Sequence, residues 1–292
     1  MSDDKPKSPK DSHYARLRRA HRQREREARP ASTGGPAATP QGVVRLYGLH
    51  TVRAALDNPA RRIHRMLVTR NAAQRLGLDD PTALPFPTEI VAPKAIDALL
   101  GPDAVHQGVL VEADPRIPKA LSALGDAALV LVLDQITDPH NVGAIIRSAV
   151  AFGVAALITT ARHSPAESGV LAKAASGALE HIDHITVRNL AEALDELQAA
   201  GFYTVGLDSE GPQPLEQAVR PGRLALVLGA EGKGLRMKTR QTVNALARLD
   251  MPGPIHSLNV SNAAAVALYI AHRTAHEDPA AVGTSQSELK PT

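Results

Sequence analysis

The chain has 292 residues, of which 43% are hydrophobic and 2% aromatic, and it carries a net charge of +3 at pH 7. Its length suggests about two domains, whose cores must be built from Leu, Val, Ile and Ala. The absence of cysteine excludes a disulfide framework, a thiolate metal site and a cysteine nucleophile, and it is typical of a reducing cytoplasm. No apolar run reaches the roughly 18 residues of a membrane span, and the first residues lack the apolar core of a secretory signal.

Residues 1–42 are predicted to be a disordered basic tail and linker. The first 30 residues carry ten Lys and Arg against five Asp and Glu. Residues 31–42 are rich in Ala, Thr, Gly and Pro, a composition typical of flexible linkers. Two interpretations of the basic run stay open: an arm that lies on nucleic-acid phosphates, or a solvated extension.

Residues 43–113 are predicted to form a small α/β domain. A turn leading into a helix is expected over 46–56, with strands at 63–68, 90–91 and 109–113 and a helix at 93–100. The segment is expected to present a basic surface, which beside the basic tail favours RNA or DNA over a small anionic ligand. The cationic residues and histidine of this surface are Arg45, His50, Arg53, Arg61, Arg62, Arg65 and Arg70.

Residues 114–126 contain two prolines and no clear strand pattern, so they are predicted to be the linker between two domains. Residues 127–276 alternate strands and helices, which predicts a mainly parallel sheet covered by helices. Strands are expected at 129–134, 154–160, 183–187, 202–207, 224–229 and 246–250. Helices are expected at 140–152, 166–178, 190–200, 235–242 and 258–273. Residues 277–292 are predicted to be a disordered polar tail.

Three stretches of this second region concentrate glycines and polar side chains. In the first, the buried strand 129–134 is followed by Asp138-Pro139, which can cap a helix that carries Asn141 and Arg147. Open α/β sheets bind ligands at this end of their strands. The second stretch, 226–235, matches neither the phosphate-binding loop of ATPases nor a dinucleotide fingerprint. The third runs over 249–269, and nowhere does the spacing of His and acids indicate a metal site.

These three stretches resemble, in order and spacing, the three motifs of the SpoU/TrmH family of RNA ribose 2′-O-methyltransferases in the SPOUT superfamily. The matching segments are 138–148, 228–235 and 251–261. The region before them, which ends in His106-Gln-Gly-Val-Leu110, resembles the L30e-like substrate-binding domain of the 23S rRNA guanosine 2′-O-methyltransferase branch. The resemblance covers residues 43–276.

The resemblance implies a fold that periodicity alone does not predict. Family members bind S-adenosylmethionine in a deep trefoil knot, a rare exception to the rule that chains are unknotted. They are usually homodimers whose active site is completed across the interface. By position, Gly229, Met251 and Leu258 are the expected cofactor-binding residues. The expected partner is RNA, namely 23S rRNA or an assembling large ribosomal subunit, and no membrane.

The resemblance also implies the catalytic residues Asn141, Arg147, Glu231, Ser257 and Asn259. A ribose hydroxyl must lose its proton as it attacks the methyl group. Arg147 is expected at this step, either as a base or by holding a substrate phosphate, and the second role is favoured because a guanidinium normally stays protonated. Asn141 supports this site, while the other three residues orient substrate and motif loops.

Three alternatives to a 23S rRNA methyltransferase remain at this stage. Two are enzymes of the same fold that methylate tRNA or confer antibiotic resistance through rRNA, and the L30e-like domain argues against the first of them only. The third is a non-catalytic RNA-binding protein of ribosome assembly. The presence of Asn141, Arg147, Glu231 and Asn259 argues against that third alternative.

Overall fold

The computed structural model of the chain describes residues 39–230 and 232–276. The predicted basic tail up to residue 38, the predicted polar tail from residue 277 and the predicted site residue Glu231 lie outside the described residues.

A four-stranded mixed sheet organises the first part of the described chain. Its order is β1-β4-β2-β3, with β4 antiparallel to β1 and β2, and β2 parallel to β3. The strands are Val44–Tyr47 (β1), Ile63–Val68 (β2), Thr88–Ile90 (β3) and Val109–Ala113 (β4). The helices of this part are Leu49–Asp57 (α1), Arg70–Arg75 (α2) and Pro93–Leu100 (α3).

The strand β1 and the helix α2 were not predicted from the sequence. A turn was expected before the helix at 46–56, but the chain there is an edge strand whose Val44 and Leu46 are buried. Arg45 lies between them and is buried as well. Because a charged residue interrupts the apolar pattern, the sequence did not predict this strand. Gly48, with φ of 91°, ends the strand and begins α1, because this left-handed backbone favours glycine.

A seven-stranded sheet organises the rest of the chain, and every pairing in it is parallel. Its order is β7-β6-β5-β10-β8-β11-β9. The strands are Leu129–Asp134 (β5), Ala156–Thr160 (β6), Asp183–Val187 (β7), Tyr203–Leu207 (β8), Gln213–Pro214 (β9), Leu224–Gly229 (β10) and Ala245–Arg248 (β11). The predicted parallel sheet is therefore confirmed.

Helices follow most of these strands, as the alternating pattern predicts. They are Pro139–Ala151 (α4), Gly169–Ala175 (α5), Leu190–Ala199 (α6), Leu215–Ala218 (α7), Met237–Thr242 (α8) and Val260–His276 (α9). The helix expected over 166–178 is shorter because Ser168 caps its start and Ser176, in the left-handed conformation, ends it. Within residues 39–230 and 232–276, no helix is long and apolar enough to cross a bilayer.

The strand order places a crevice at the carboxyl ends of β5 and β10. From β5 the chain builds β6 and β7 toward one edge, whereas β10 and β8 lie on the other side of β5. Open α/β sheets bind ligands where the order reverses in this way. The two central strands pair in register from Leu129 opposite Leu224 to Asp134 opposite Gly229, so both motif strands end at the same level.

Candidate functional site

A buried carboxylate at the end of β5 anchors the loop that follows β10. Asp134 is fully buried and accepts hydrogen bonds from Arg236 N (3.0 Å), Arg236 Nε (2.6 Å) and Thr239 Oγ1 (2.7 Å). The sequence alone assigned Asp134 no role. The structure makes it the residue that ties the second motif to the first.

The loop after β10 folds back tightly on the strand end. Gly234 N donates to Ala230 O at 2.9 Å, and Gly232 and Gly234 have φ of 72° and 62°. A Cβ on Gly229 would overlap the backbone of Gly234 and Leu235. Only glycine fits at position 229. The loop backbone therefore packs directly against the strand end and lines the crevice without a side chain between them.

A cavity of about 510 Å³ opens beside this loop. Four residues predicted for the site line it, namely Gly229, Met251, Ser257 and Leu258. Apolar side chains of Leu228 and Leu249 make up part of its wall, and Asp208, paired with Arg240 at 2.6 Å, adds a carboxylate. The second and third motifs therefore form one pocket, which we name the donor cavity.

A second cavity of about 330 Å³, the acceptor cavity, lies next to the first. Asn141 lines it, and Ala230, Lys233 and Val260 line both cavities, so a wall of these residues separates them.

Two further residues of the acceptor cavity were not predicted from the sequence. Gln135 and His163 line it and have φ of 62° and 67°. A left-handed backbone at residues other than glycine is uncommon and clusters at functional sites. Neither residue type signals that conformation, so the sequence held no clue to them.

One side-chain hydrogen bond joins the first and third motifs. Asn259 Nδ2 donates to Asn141 Oδ1 at 3.0 Å. Asp138 caps α4 by accepting from His140 N and Asn141 N, and Asn259 Oδ1 accepts from Ser261 N at the start of α9. The two asparagines thus link the first turns of two helices at the mouth of the crevice.

Arg147 does not join the other predicted residues. It is exposed on α4 and is not among the residues that line the two cavities. No hydrogen bond or ion pair within the described part of the chain holds its guanidinium. A single chain therefore presents Arg147 outward, free to contact another molecule. Glu231, the remaining predicted catalytic residue, falls outside the described residues.

The predicted basic surface of residues 43–113 is partly wrong. Arg45 and Arg65 both donate to Glu112, with Nε–O distances of 3.1 and 2.7 Å, and Arg45 and Glu112 are buried. The Arg65 hydrogen bond, assisted by Arg45, lowers the pKa of Glu112 below its ordinary value. Arg61 is also buried in ion pairs. These three cations hold the fold together, whereas Arg62 and Arg70 are exposed as expected.

Among the described residues, no group of three or more His, Asp and Glu could hold a metal ion. The site thus consists of the donor cavity, which is lined partly by apolar and backbone groups, the neighbouring polar acceptor cavity, and the Arg147 guanidinium outside both.

Comparison with known protein families identifies both parts of the chain. Residues 128–269 match the model of the SpoU rRNA methylase family. Residues 45–118 match the model described as RNA 2′-O ribose methyltransferase substrate binding. We refer to these ranges below as the methylase segment and the substrate-binding segment.

Curated relatives agree with these matches. A 23S rRNA (guanosine-2′-O-)-methyltransferase RlmB from Ralstonia nicotianae is 38% identical over 243 residues, which cover 80% of this chain and 97% of that protein. The protein of the same name from Pseudomonas putida is 35% identical and covers 78% of this chain and 96% of its own length. The Escherichia coli protein of that name is 34% identical, with 78% and 97% coverage.

Solved structures support the fold. The SpoU methyltransferase AviRb from Streptomyces viridochromogenes, solved with AdoMet, aligns with a TM-score of 0.68 at 23% identity and covers 80% of this chain and 90% of that one. An AdoMet-bound rRNA methyltransferase from Sinorhizobium meliloti gives 0.66 at 22% identity, with 80% and 87% coverage. With its motifs, its two family-model matches and its relatives above 30% identity, the chain belongs to the SpoU rRNA methylase family.

Proposed function

We propose that the protein transfers a methyl group from S-adenosylmethionine to the ribose 2′-hydroxyl of a guanosine in 23S rRNA. The observation that carries the proposal is the pair of adjoining cavities, one built from the second and third motifs and the other holding Asn141 of the first. Relatives that this chain matches over nearly their whole length bear the name of this activity.

The donor cavity fits S-adenosylmethionine in size and chemistry. Its 510 Å³ lies within the range of about 300–1,000 Å³ typical of cofactor sites. Leu228, Leu249 and Met251 offer apolar surface to an adenine ring, while the Gly229 loop offers backbone groups that approach without a side chain between. The carboxylate of Asp208 suits a ligand that carries cationic and hydroxyl groups. Met251, Gly229 and Leu258 are therefore assigned to cofactor binding.

When bound, the cofactor would supply a methyl group on a positively charged sulfur; transfer of this group to the ribose oxygen would release S-adenosylhomocysteine and pass the hydroxyl proton to water. The protein's own residues place the nucleophile. Asn141 lines the acceptor cavity, where its hydrogen bond from Asn259 fixes its position next to the substrate. Arg147 holds a phosphate next to the reacting ribose, a role that suits a guanidinium because it stays protonated and forms bidentate hydrogen bonds to phosphate. Ser257 and Glu231 are assigned to orienting the motif loops and the substrate.

We further propose that the active protein is a homodimer in which Arg147 completes the site of the partner. Arg147 lies outside both cavities of its own chain, so a site made by one chain lacks its phosphate-holding cation. On α9 the exposed residues Asn262, Val266 and Tyr269 follow helical spacing and form one face, and Leu258 is exposed just before it. Exposed apolar residues on one helix face are typical of an interface.

The finer architecture belongs to the same proposal. We infer a trefoil knot in the C-terminal part of the methyltransferase domain, where α9 packs on α4. We also infer an L30e-like domain at 43–113, a linker at 114–126 and a methyltransferase domain at 127–276. The proposed place of action is the cytoplasm, where ribosomes are assembled.

The proposal is tested with the purified protein, labelled S-adenosylmethionine and 23S rRNA, followed by mapping of 2′-O-methyl positions. One guanosine should be methylated. Methylation of tRNA instead, or no binding of S-adenosylmethionine to the folded protein by calorimetry, would refute the proposal and would favour the tRNA or the non-catalytic alternative, respectively.

Arg147→Ala should abolish methylation and leave S-adenosylmethionine affinity unchanged, because the residue does not line the donor cavity. Arg147→Lys should retain part of the activity, since an ammonium still attracts a phosphate. The matched control is Arg188→Ala, which removes another exposed cation that follows β7. Normal turnover by Arg147→Ala would contradict the assigned role.

A further inference from the structure

A buried cation joins the substrate-binding segment to the methylase segment. The guanidinium of Arg61 is 1% exposed and lies between Glu167 and Glu180, which belong to the methylase segment. Arg61 Nη1 lies 2.8 Å from Glu167 Oε1, and Nε and Nη2 both donate to Glu180. Glu180 also accepts from Asn58 Nδ2 at 2.6 Å. We name this group the Arg61 cluster.

The surrounding contact is close-packed and leaves no room for side chains at two glycines. A Cβ on Gly169 would overlap the carbonyl oxygen of Arg45, and one on Gly177 would lie 3.0 Å from Ala54 Cβ. Thr51 Oγ1 donates across the contact to Ala172 O at 3.1 Å. Backbone therefore meets backbone here, which fixes relative position more sharply than long side chains do.

The predicted linker 114–126, which overlaps the end of the substrate-binding segment, is held by the same cluster. Arg61 Nη1 donates to Asp114 O at 2.9 Å, and Glu167 Oε2 accepts from Arg116 N at 2.7 Å. Further along, Lys119 N donates to His184 O of β7 at 2.8 Å. The chain between the segments is thus bound to both, so it cannot act as a free hinge while these bonds persist.

We propose that Arg61 is a positioning residue that sets which nucleotide is methylated. The inference rests on the proposed function. RNA gripped by the substrate-binding segment is presented to the donor and acceptor cavities at a fixed distance, because the Arg61 cluster allows one docking of the two segments. Selection of the guanosine then depends on this distance as well as on contacts within the acceptor cavity.

The burial of the cluster explains why Arg61 can enforce one arrangement. Its two carboxylates are also nearly buried, with side-chain exposures of 11% and 2%. Any shift that separates the segments leaves buried charges without partners, which is strongly unfavourable. An exposed ion pair, by contrast, would tolerate many arrangements.

The first test compares Arg61→Met with Arg75→Met, an exposed arginine at the end of α2 in the same segment. We expect Arg61→Met to lower kcat/KM for 23S rRNA about 100-fold, the order of loss that a misplaced substrate causes. The loss should fall mainly on kcat, while the Kd for S-adenosylmethionine and the Kd for rRNA stay near those of the wild type. Mapping should show methyl groups spread to neighbouring riboses. Arg75→Met should behave as the wild type.

Selective and efficient methylation by Arg61→Met would overturn the proposal. An inactive wild type would instead refute the proposed function itself, so the two failures are distinguishable. Arg61→Lys separates positioning from mere stability: it should regain part of the selectivity, because an ammonium can still pair with one of the two glutamates.

Discussion

Replacing Asp134 with Asn tests whether this buried carboxylate holds the donor cavity in shape. The substitution keeps the volume and removes the charge. One amide oxygen can still accept from Arg236 N and Thr239 Oγ1, but the amide nitrogen then faces Arg236 Nε and cannot accept its hydrogen bond. A hydrogen bond to a charged group contributes about 1.5–3 kcal/mol. Since the Arg236 side chain is 43% exposed and can turn to water, we expect a loss of about 2 kcal/mol in unfolding free energy.

The assay is urea unfolding of the purified variant together with calorimetry of S-adenosylmethionine binding. Ala230, Gly232, Lys233 and Gly234 line the donor cavity. Loosening this loop should therefore weaken binding by about tenfold or more, equivalent to about 1.4 kcal/mol. Asp195→Asn, on the exposed face of α6, is the matched control and should change neither quantity. Wild-type stability and affinity in Asp134→Asn would refute the assigned anchoring role.

Two further predictions concern the loop glycine and the buried glutamate. Gly229→Ala should destroy S-adenosylmethionine binding in a calorimetric titration, because its Cβ overlaps the loop backbone, whereas Gly253→Ala should bind normally because its Cβ meets nothing within 4 Å; equal affinities would contradict this reading. The pKa of Glu112 is lowered from 4.5 by Arg65, so its ionised form stabilises the fold above about that pH, and the contribution disappears as the pH falls through the lowered pKa. Urea unfolding should therefore show that Glu112→Gln costs about 3 kcal/mol at pH 7 and progressively less below pH 4.5. The exposed Glu196→Gln should cost little at either pH, and a Glu112→Gln penalty that does not change with pH would refute the linkage.

Local pattern was sufficient to predict the central strands. The runs 129–133 and 224–228 are apolar throughout and end in Asp134 and Gly229, and both strands have the predicted bounds. Such runs are buried on both faces in a parallel sheet, so their signal does not depend on distant partners. The order of the strands does depend on distant partners, and no local pattern could place β10 between β5 and β8.

Charged residues were the least predictable, because their role depends on partners far along the chain. Arg45 and Glu112 are 67 residues apart, and Arg61 and Glu180 are 119 apart. Each arginine looked like a surface cation until its carboxylate was known. The resemblance to the family predicted four of the residues that line the donor cavity. It did not predict that Asp134 anchors the second motif.

The long separations within the site also set an order of events during synthesis. Asn141 acquires its partner Asn259 only 118 residues later. At about 5–20 residues per second a ribosome needs on the order of 6–24 s to cover that interval. Until β10 emerges, β5 has one edge without its neighbour, and such an edge is a template for aggregation. The nascent chain must therefore be shielded from aggregation during this interval. It is inert toward the methyl donor until α9 has begun to form.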